Sequence, residues 1–277
     1  MGPDLDAVAS VWILKKFGGD EYAGADVDFA LAGNKIAEGK LADKGIMPDE
    51  VVHVDTGMGK FDHHTEELAH EPVCAASLVR DHLIVVHPEL DEDEALARMV
   101  RHFVEIDHFE ECYWPEANND RYLFQLHEVV HFLKNTGLTD REVVEFSRVA
   151  LDAVYAAVKV RVAAEEEVER GREFETKWGK AVAIETPNDE VMHYGQKKGY
   201  QVVVRKDPEI GNIRIKAVPG KKIDLTKIYE KITELDPEAT WYLHPGKTML
   251  LNGSRKHEGQ VPSKLSLEQV VELLKLT

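Results

Sequence analysis

A long stretch with nothing to stop a helix runs through the middle of this sequence. From Thr139 to about Phe174 it is rich in Ala, Val, Glu and Arg, lacks proline, and has one glycine, Gly171, near its end. Alanine and straight-chain residues lose little rotamer freedom in a helix, so the run predicts a continuous one. Roughly 35 helical residues would extend about 50 Å at 1.5 Å per residue. In a chain of 277 residues, such a rod predicts two lobes joined by a connector. The expected division is 1–137, a connecting helix over 138–176, and a smaller lobe over 177–277.

Charge divides at the same place. Residues 1–176 carry a net −21 and residues 177–277 a net +4, together the −17 of the whole chain. An acidic surface keeps a protein soluble, and it also argues against grip on long duplex DNA, where Lys and Arg neutralisation of phosphates dominates affinity. No apolar run approaches the roughly 20 residues that span a bilayer, and no membrane association is expected. The opening residues carry no basic stretch and no apolar core of a secretory signal. The cysteines, Cys74 and Cys112, form no C-x-x-C pair. A reducing cytoplasm is therefore the expected location.

The first 137 residues read as helices alternating with short strands, which predicts a parallel α/β sheet. Helical spacing of Ala7, Val8, Val11, Trp12 and Leu14 predicts a helix from Asp4 or Asp6. Val27–Leu31 and Val51–Val54 read as strands. Pro72–Val86, Ala95–Ile106 and residues 120–134 read as further helices. After Trp178 the texture changes to strands at Ala181–Ile184, Gln201–Val204, Ile213–Val218 and Met249–Leu251, with helices at Leu225–Leu235 and Leu265–Leu274. That predicts an α/β or α+β lobe.

Acids and histidines gather at element ends. Pro3-Asp4-Leu5-Asp6-Ala7 lies at a helix entry. Val51-Val52-His53-Val54-Asp55 is a strand ending on a carboxylate, where open α/β sheets place their ligands. Phe61-Asp62-His63-His64 follows, and Ile106-Asp107-His108 closes a helix. Singly, each has an ordinary explanation: Asp4 and Asp6 suit helix caps, and Asp55 suits a turn before Gly57 and Gly59. Together, carboxylates with a neutral imidazole suit hard or borderline cations such as Mn²⁺ or Mg²⁺.

The ordered set P-D-x-D-A, V-D, D-H-H and a later Asp resembles the DHH phosphoesterase superfamily, which includes the RecJ exonuclease, oligoribonuclease-type enzymes and manganese-dependent pyrophosphatases. The resemblance is strongest over about residues 1–135. It implies a two-lobed α/β fold and two Mn²⁺ ions, with Mg²⁺ or Co²⁺ as substitutes. It implies that Asp55 bridges the ions, that Asp4 binds the first, and that Asp6, His63 and Asp107 bind the second. His64 would face the substrate phosphate, and Asp62 would orient the histidines. The segment Leu251-Asn252-Gly253-Ser254-Arg255-Lys256 is similar to the superfamily's phosphate-binding stretch. There Ser254, Arg255 and Lys256 would hold a non-reacting phosphate and Gly253 would let the backbone approach it. The implied reaction is hydrolysis of a phosphodiester or phosphoanhydride, in short single-stranded oligonucleotides or small phosphorylated nucleotides.

One departure matters. Superfamily members carry a strand and then His-x-x-Pro-Asp, whereas this sequence opens Met1-Gly2-Pro3-Asp4; a shortened start is the favoured explanation. An acidic pocket missing that ligand would alternatively suit a non-catalytic nucleotide or phosphate sensor. A third reading comes from His127-Glu128-Val129-Val130-His131, an H-E-x-x-H match whose helical spacing sets two imidazoles on one face for zinc, as in metalloproteases. Trp178, Tyr194, Tyr200, Trp241 and Tyr242 are candidate base-stacking rings, most of them expected in the core.

Overall fold

The computed structural model describes residues 2–220, 223–253 and 259–276. Contacts within the chain divide it into two units, Met1–Val158 and Lys159–Thr277. The first unit holds α1 (Leu5–Phe17), α2 (Asp20–Ala23), α3 (Glu38–Lys44), α4 (Ala75–Val86), α5 (Glu94–Asp107), α6 (Leu126–Leu133) and most of α7 (Asp140–Glu169). Among the described residues, no helix is long and apolar enough to cross a membrane.

Helix α1 starts where extended Asp4 turns its carboxylate onto the Ala7 N–H at 3.0 Å. Such a cap satisfies one of the amides a helix leaves open at its start. From there α1 buries Val8, Ala9, Trp12 and Ile13 in one core with Val79 and Leu83 of α4 and Leu96, Met99 and Phe103 of α5. Trp12 anchors it: the indole is 1 % exposed, and its Nε1–H donates to Asp152 Oδ1 of α7 at 3.0 Å. Trp12→Ala is expected to cost about 3–5 kcal/mol, because the cavity term adds to the lost burial. Urea unfolding measures it, and a loss below about 1 kcal/mol would contradict this packing.

The parallel sheet expected in the N-terminal lobe is not found. Among the described residues no strand ladder lies in the first unit, where Val54 and Phe61 form an isolated parallel bridge. The Val27–Leu31 segment joins no ladder, and side chains take two of its carbonyls in place of a neighbouring strand. Arg141 donates to Val27 O at 2.7 Å and Lys40 Nζ to Phe29 O at 3.5 Å. Near Val51–Val54, His53 Nε2 likewise accepts the Ile36 N–H at 3.1 Å. With these carbonyls met by side chains, Val27–Leu31 needs no ladder there.

Helix α7 opens with a reciprocal cap: Thr139 N–H donates to Glu142 Oε2 at 2.8 Å, and Thr139 Oγ1 accepts from the Glu142 N–H at 3.3 Å. It ends at Glu169 rather than near Phe174. Gly171 follows, and Arg172–Thr176 form β1, in which Phe174 alone is buried between Glu173 and Glu175. That alternation is the period of a strand with one face inward.

The second unit is a six-stranded mixed sheet in the order β1-β2-β3-β4-β6-β5, with β2 (Gly179–Glu185), β3 (Val202–Lys206), β4 (Ile213–Ala217), β5 (Trp241–Leu243) and β6 (Met249–Asn252). The β2–β3 pair is parallel and the others antiparallel. Alternation decides the faces. Val202 and Val204 point into a core with Ile228 and Ile232 of α9 (Thr226–Leu235) and Val270 and Leu274 of α10 (Leu267–Lys275). Val203 points the other way, to Val191 and Met192 of α8 (Glu190–Lys198) and to Val168 of α7. Tyr200 and Trp241 belong to these cores, at 7 % and 8 % exposure, and are not available as stacking surfaces.

Candidate metal centre

Four side chains far apart in sequence converge in the first unit. Asp6 lies in the first turn of α1, and its carboxylate reaches the start of α4. Its Oδ2 accepts the Ala75 N–H at 2.7 Å and its Oδ1 the Ala76 N–H at 2.8 Å. The residue before α4, Cys74, forms a capping box with Ser77, and Asp6 supplies the acceptors for the first two amides of the helix, the nearer from 69 residues away. Burial pushes the Asp6 carboxyl above the usual range, against hydrogen bonds from the Cys74 thiol and these two amides.

Asp55 follows the Val54–Phe61 bridge with φ 56°, a left-handed conformation that an aspartate tolerates better than most residues. Its N–H donates to Phe61 O at 2.8 Å. Its Oδ1 is buried and has no hydrogen-bond partner. Burial, with the negative fields of Asp4, Asp6 and Asp107, pushes this carboxyl up to about 9. Asp107 is the last residue of α5, at the negative end of the helix dipole, an unfavourable place for a carboxylate. Burial and Asp6 raise it to about 6. His108, which caps α5, has its Nε2 2.9 Å from Val73 O and so ties the end of α5 to the chain leading into α4.

His63 stands among these acids. Its Nε2 is buried and unpartnered, 3.4 Å from Asp55 Oδ1, 3.4 Å from Asp107 Oδ2 and 3.9 Å from Asp6 Oδ2. Burial holds the ring below its usual pKa, against the pull of Asp107. A neutral imidazole lone pair facing ionised carboxylate oxygens is repulsive without a cation or a proton between them. Ligand atoms about 2.1 Å from one ion, at angles of about 90–110°, lie about 3.0–3.4 Å apart. The separations to Asp55 and Asp107 match that spacing, the one to Asp6 is about half an ångström longer, and all three are too long for good hydrogen bonds. The set of nitrogen and oxygen donors, with an orphaned ring nitrogen and an orphaned carboxylate oxygen, fits a divalent cation such as Mn²⁺.

Two groups able to share an ion meet at His63: Asp6 with His63 and Asp107, and Asp55 with His63 and His64. The His64 ring is 62 % exposed, and its Nδ1 lies 2.9 Å from Asp62 Oδ1. Asp62 is itself buried and also accepts the Met58 N–H at 2.7 Å and the His64 N–H at 3.1 Å. Burial works against its ionisation, but these donors outweigh it and the carboxyl lies below its usual range. An ionised Asp62 holding the Nδ1–H of His64 leaves Nε2 as the free nitrogen. Asp4 belongs to neither group and caps α1, though its charge reaches Asp55. The Cys74–Ala76 segment that seats Asp6 is not singled out as part of the site in the sequence, where its only signal is a cysteine and small residues opening a predicted helix.

In the second unit, Gly253 has φ 66°, and a β-carbon there would collide with the Gln260 side-chain amide, so the position favours glycine. Ser254, Arg255 and Lys256 lie outside the described residues.

The H-E-x-x-H segment lies on α6, but its rings go to different neighbours. His127 meets Trp114 edge-on at 6.1 Å, and His131 packs on Phe132 at 4.9 Å. Among the described residues, no group able to share an ion includes either histidine. Glu128→Gln is accordingly expected to leave hydrolysis of phosphoesters within about twofold of the unmodified chain, an ordinary surface effect. A colorimetric phosphoesterase assay reads this, and loss of a peptidase activity in the same variant would revive the zinc reading.

No family model matches the chain, and no curated protein matches it. Among solved structures, the chain is similar to the DHH domain of a protein described as belonging to a family of ribosomal proteins, with 12 % identity and a TM-score of 0.33 over 85 % of this chain and 64 % of that one. It thus spans less than two thirds of that protein's length. It is also similar to a pGpG-specific phosphodiesterase from Vibrio cholerae, with 14 % identity and a TM-score of 0.24 over 90 % and 89 % of the two chains. Both scores are too low to carry an argument, and function rests on this chain's own side chains.

Proposed function

We propose that the chain is a metal-dependent phosphohydrolase of the DHH type, cleaving a phosphodiester or phosphoanhydride in short single-stranded oligonucleotides or small phosphorylated nucleotides. The observation that carries this reading is the convergence of Asp6, Asp55, His63 and Asp107 around an unpartnered imidazole nitrogen. In the proposal Asp6, His63 and Asp107 would hold one Mn²⁺, and Asp55 and Asp4 would contribute to a second site. Bound there, the cations would supply stabilisation of phosphoryl charge and activation of the attacking water. His64, exposed beside the cluster and fixed through Nδ1 by Asp62, is placed to give or take a proton at a substrate oxygen through Nε2. A phosphate-holding role for Gly253, Ser254, Arg255 and Lys256 belongs to the same proposal. So do a cytoplasmic location, consistent with Cys74 and Cys112 both being free, and exclusion of long duplex DNA by the acidic N-terminal half.

The test is metal analysis after equilibration with Mn²⁺, followed by a panel of dinucleotides, nucleotides and pyrophosphate. Retained Mn²⁺ with release of phosphate or nucleotide is the expected result. Neither retention nor turnover would overturn the proposal. Stoichiometric nucleotide binding without release would identify a non-catalytic sensor instead.

A further inference from the structure

The turn that follows Asp107 places an aromatic ring where neither packing nor backbone preference asks for one. Phe109 is the second residue beyond the end of α5, in the position where helices commonly close with a left-handed residue, usually glycine. Its φ is 57°, and its N–H closes the helix by donating to Ile106 O at 3.0 Å. A β-carbon is disfavoured in this conformation, the more so beneath a bulky ring. The ring gains nothing in return from burial, being 74 % exposed. Residues held in such conformations persist where function requires them. The position is also tethered: Cα atoms two residues apart lie at most about 7.6 Å from each other, so Phe109 cannot stand far from the Asp107 carboxylate. The turn is anchored on both sides, by His108 to Val73 O at 2.9 Å and by Cys112 N–H to Phe109 O at 3.3 Å.

Resting on the phosphohydrolase reading above, we propose that Phe109 is a stacking platform for the base of the nucleotide whose phosphate lies at the Asp6–Asp55–His63–Asp107 cluster. An exposed ring two residues along the chain from the Asp107 carboxylate offers a π-face that any base can use, so recognition is of a nucleoside rather than of one sequence. The substrate class narrows accordingly to phosphates bearing a base, in preference to pyrophosphate or sugar phosphates.

The test compares binding of adenosine 5′-monophosphate and of ribose 5-phosphate, by calorimetry in Mn²⁺, to the full chain and to Phe109→Gly. The unmodified protein is expected to prefer the nucleotide by about tenfold or more. Phe109→Gly is expected to lose that preference and keep its affinity for ribose 5-phosphate. Its melting temperature should be unchanged or higher, since glycine suits the left-handed turn. Phe109→Trp should restore the preference. With a dinucleotide as substrate, the loss should fall on KM rather than kcat. Equal affinity of the unmodified chain for both ligands, or a preference that survives in Phe109→Gly, would overturn the proposal while leaving the phosphohydrolase reading intact. Binding of neither ligand by a chain that retains Mn²⁺ and turns over a dinucleotide would likewise overturn the proposal and leave the phosphohydrolase reading standing.

Discussion

Asp55→Asn is expected to lower turnover at least about a hundredfold while making the metal-free protein more stable at alkaline pH. The kinetic half follows from position. Removing a residue that merely orients a metal ligand already costs about 10–100-fold in affinity or activity, and Asp55 Oδ1 is itself one of the unpartnered atoms facing His63 Nε2. The stability half follows from the sign of the titration. The folded carboxyl titrates at about 9 against 3.8 for an ordinary aspartate. Between those values the metal-free fold holds a proton that the unfolded chain has released. Where the native state binds more protons, stability falls as pH rises. The metal-free melting temperature should therefore decline from about pH 4 to about pH 9, and asparagine, which does not titrate, should flatten the decline. Mn²⁺ should reverse it in the unmodified chain, because the ligand carboxylates must be deprotonated to bind. At about a hundred times the dissociation constant the gain is about 2.7 kcal/mol. Thermal melts at several pH values, with chelator and with Mn²⁺, read all three outcomes. A metal-free curve that is flat, or that Asp55→Asn does not change, would mean that the acids do not crowd one another as described.

The convergence of these acids and histidines was more legible in the sequence than the fold around it. Asp6, Asp55, His63 and Asp107 stand out because each lies in a short acidic or histidine motif, Asp6 and Asp107 at helix ends. The chemistry of cations narrows such sets sharply. The layout of the first unit was not legible, because a Val-rich run such as Val27–Leu31 has the composition of a strand whether or not a neighbour pairs with it. Two of its carbonyls are taken by Lys40 and Arg141, the second more than a hundred residues away. The far end of α7 was misread for a related reason. Arg172–Thr176 carry good helix formers, but Gly171 and the single inward Phe174 let pairing with β2 win. In the second unit the four strands and two helices that the sequence predicts fall within a residue or two of their places, because alternation and helical period are unambiguous there, whereas α8 and the three-residue β5 carry no such signal. Phe109 is the opposite case, since nothing in its sequence neighbourhood distinguishes it and only its backbone conformation and exposure do.

Asp6 and Asp107 belong to the same triad with His63 but should respond to substitution with opposite signs in stability. Asp6→Ala removes the acceptors for the Ala75 and Ala76 N–H groups at a buried helix start. Leaving two such donors unpaired costs about 1–3 kcal/mol each, so a total loss of about 3–5 kcal/mol is expected in the metal-free protein, with α4 no longer fixed against α1. Asp107→Asn removes a negative charge from the wrong end of α5 and from beside Asp6. It should stabilise the metal-free protein by about 0.3–1 kcal/mol, the usual scale of a charge at a helix terminus. Both variants should nevertheless bind Mn²⁺ at least about tenfold more weakly. Denaturant unfolding with chelator and calorimetric Mn²⁺ titration separate the two effects. Parallel losses of stability would mean that Asp107 is tied into the fold by a bond rather than poised for an ion. Undiminished Mn²⁺ affinity in Asp6→Ala would reduce Asp6 to a helix cap, and the triad would then lack its third ligand. The split response is what sets apart a carboxylate that builds the scaffold from one that the scaffold holds in an unfavourable place until a cation arrives.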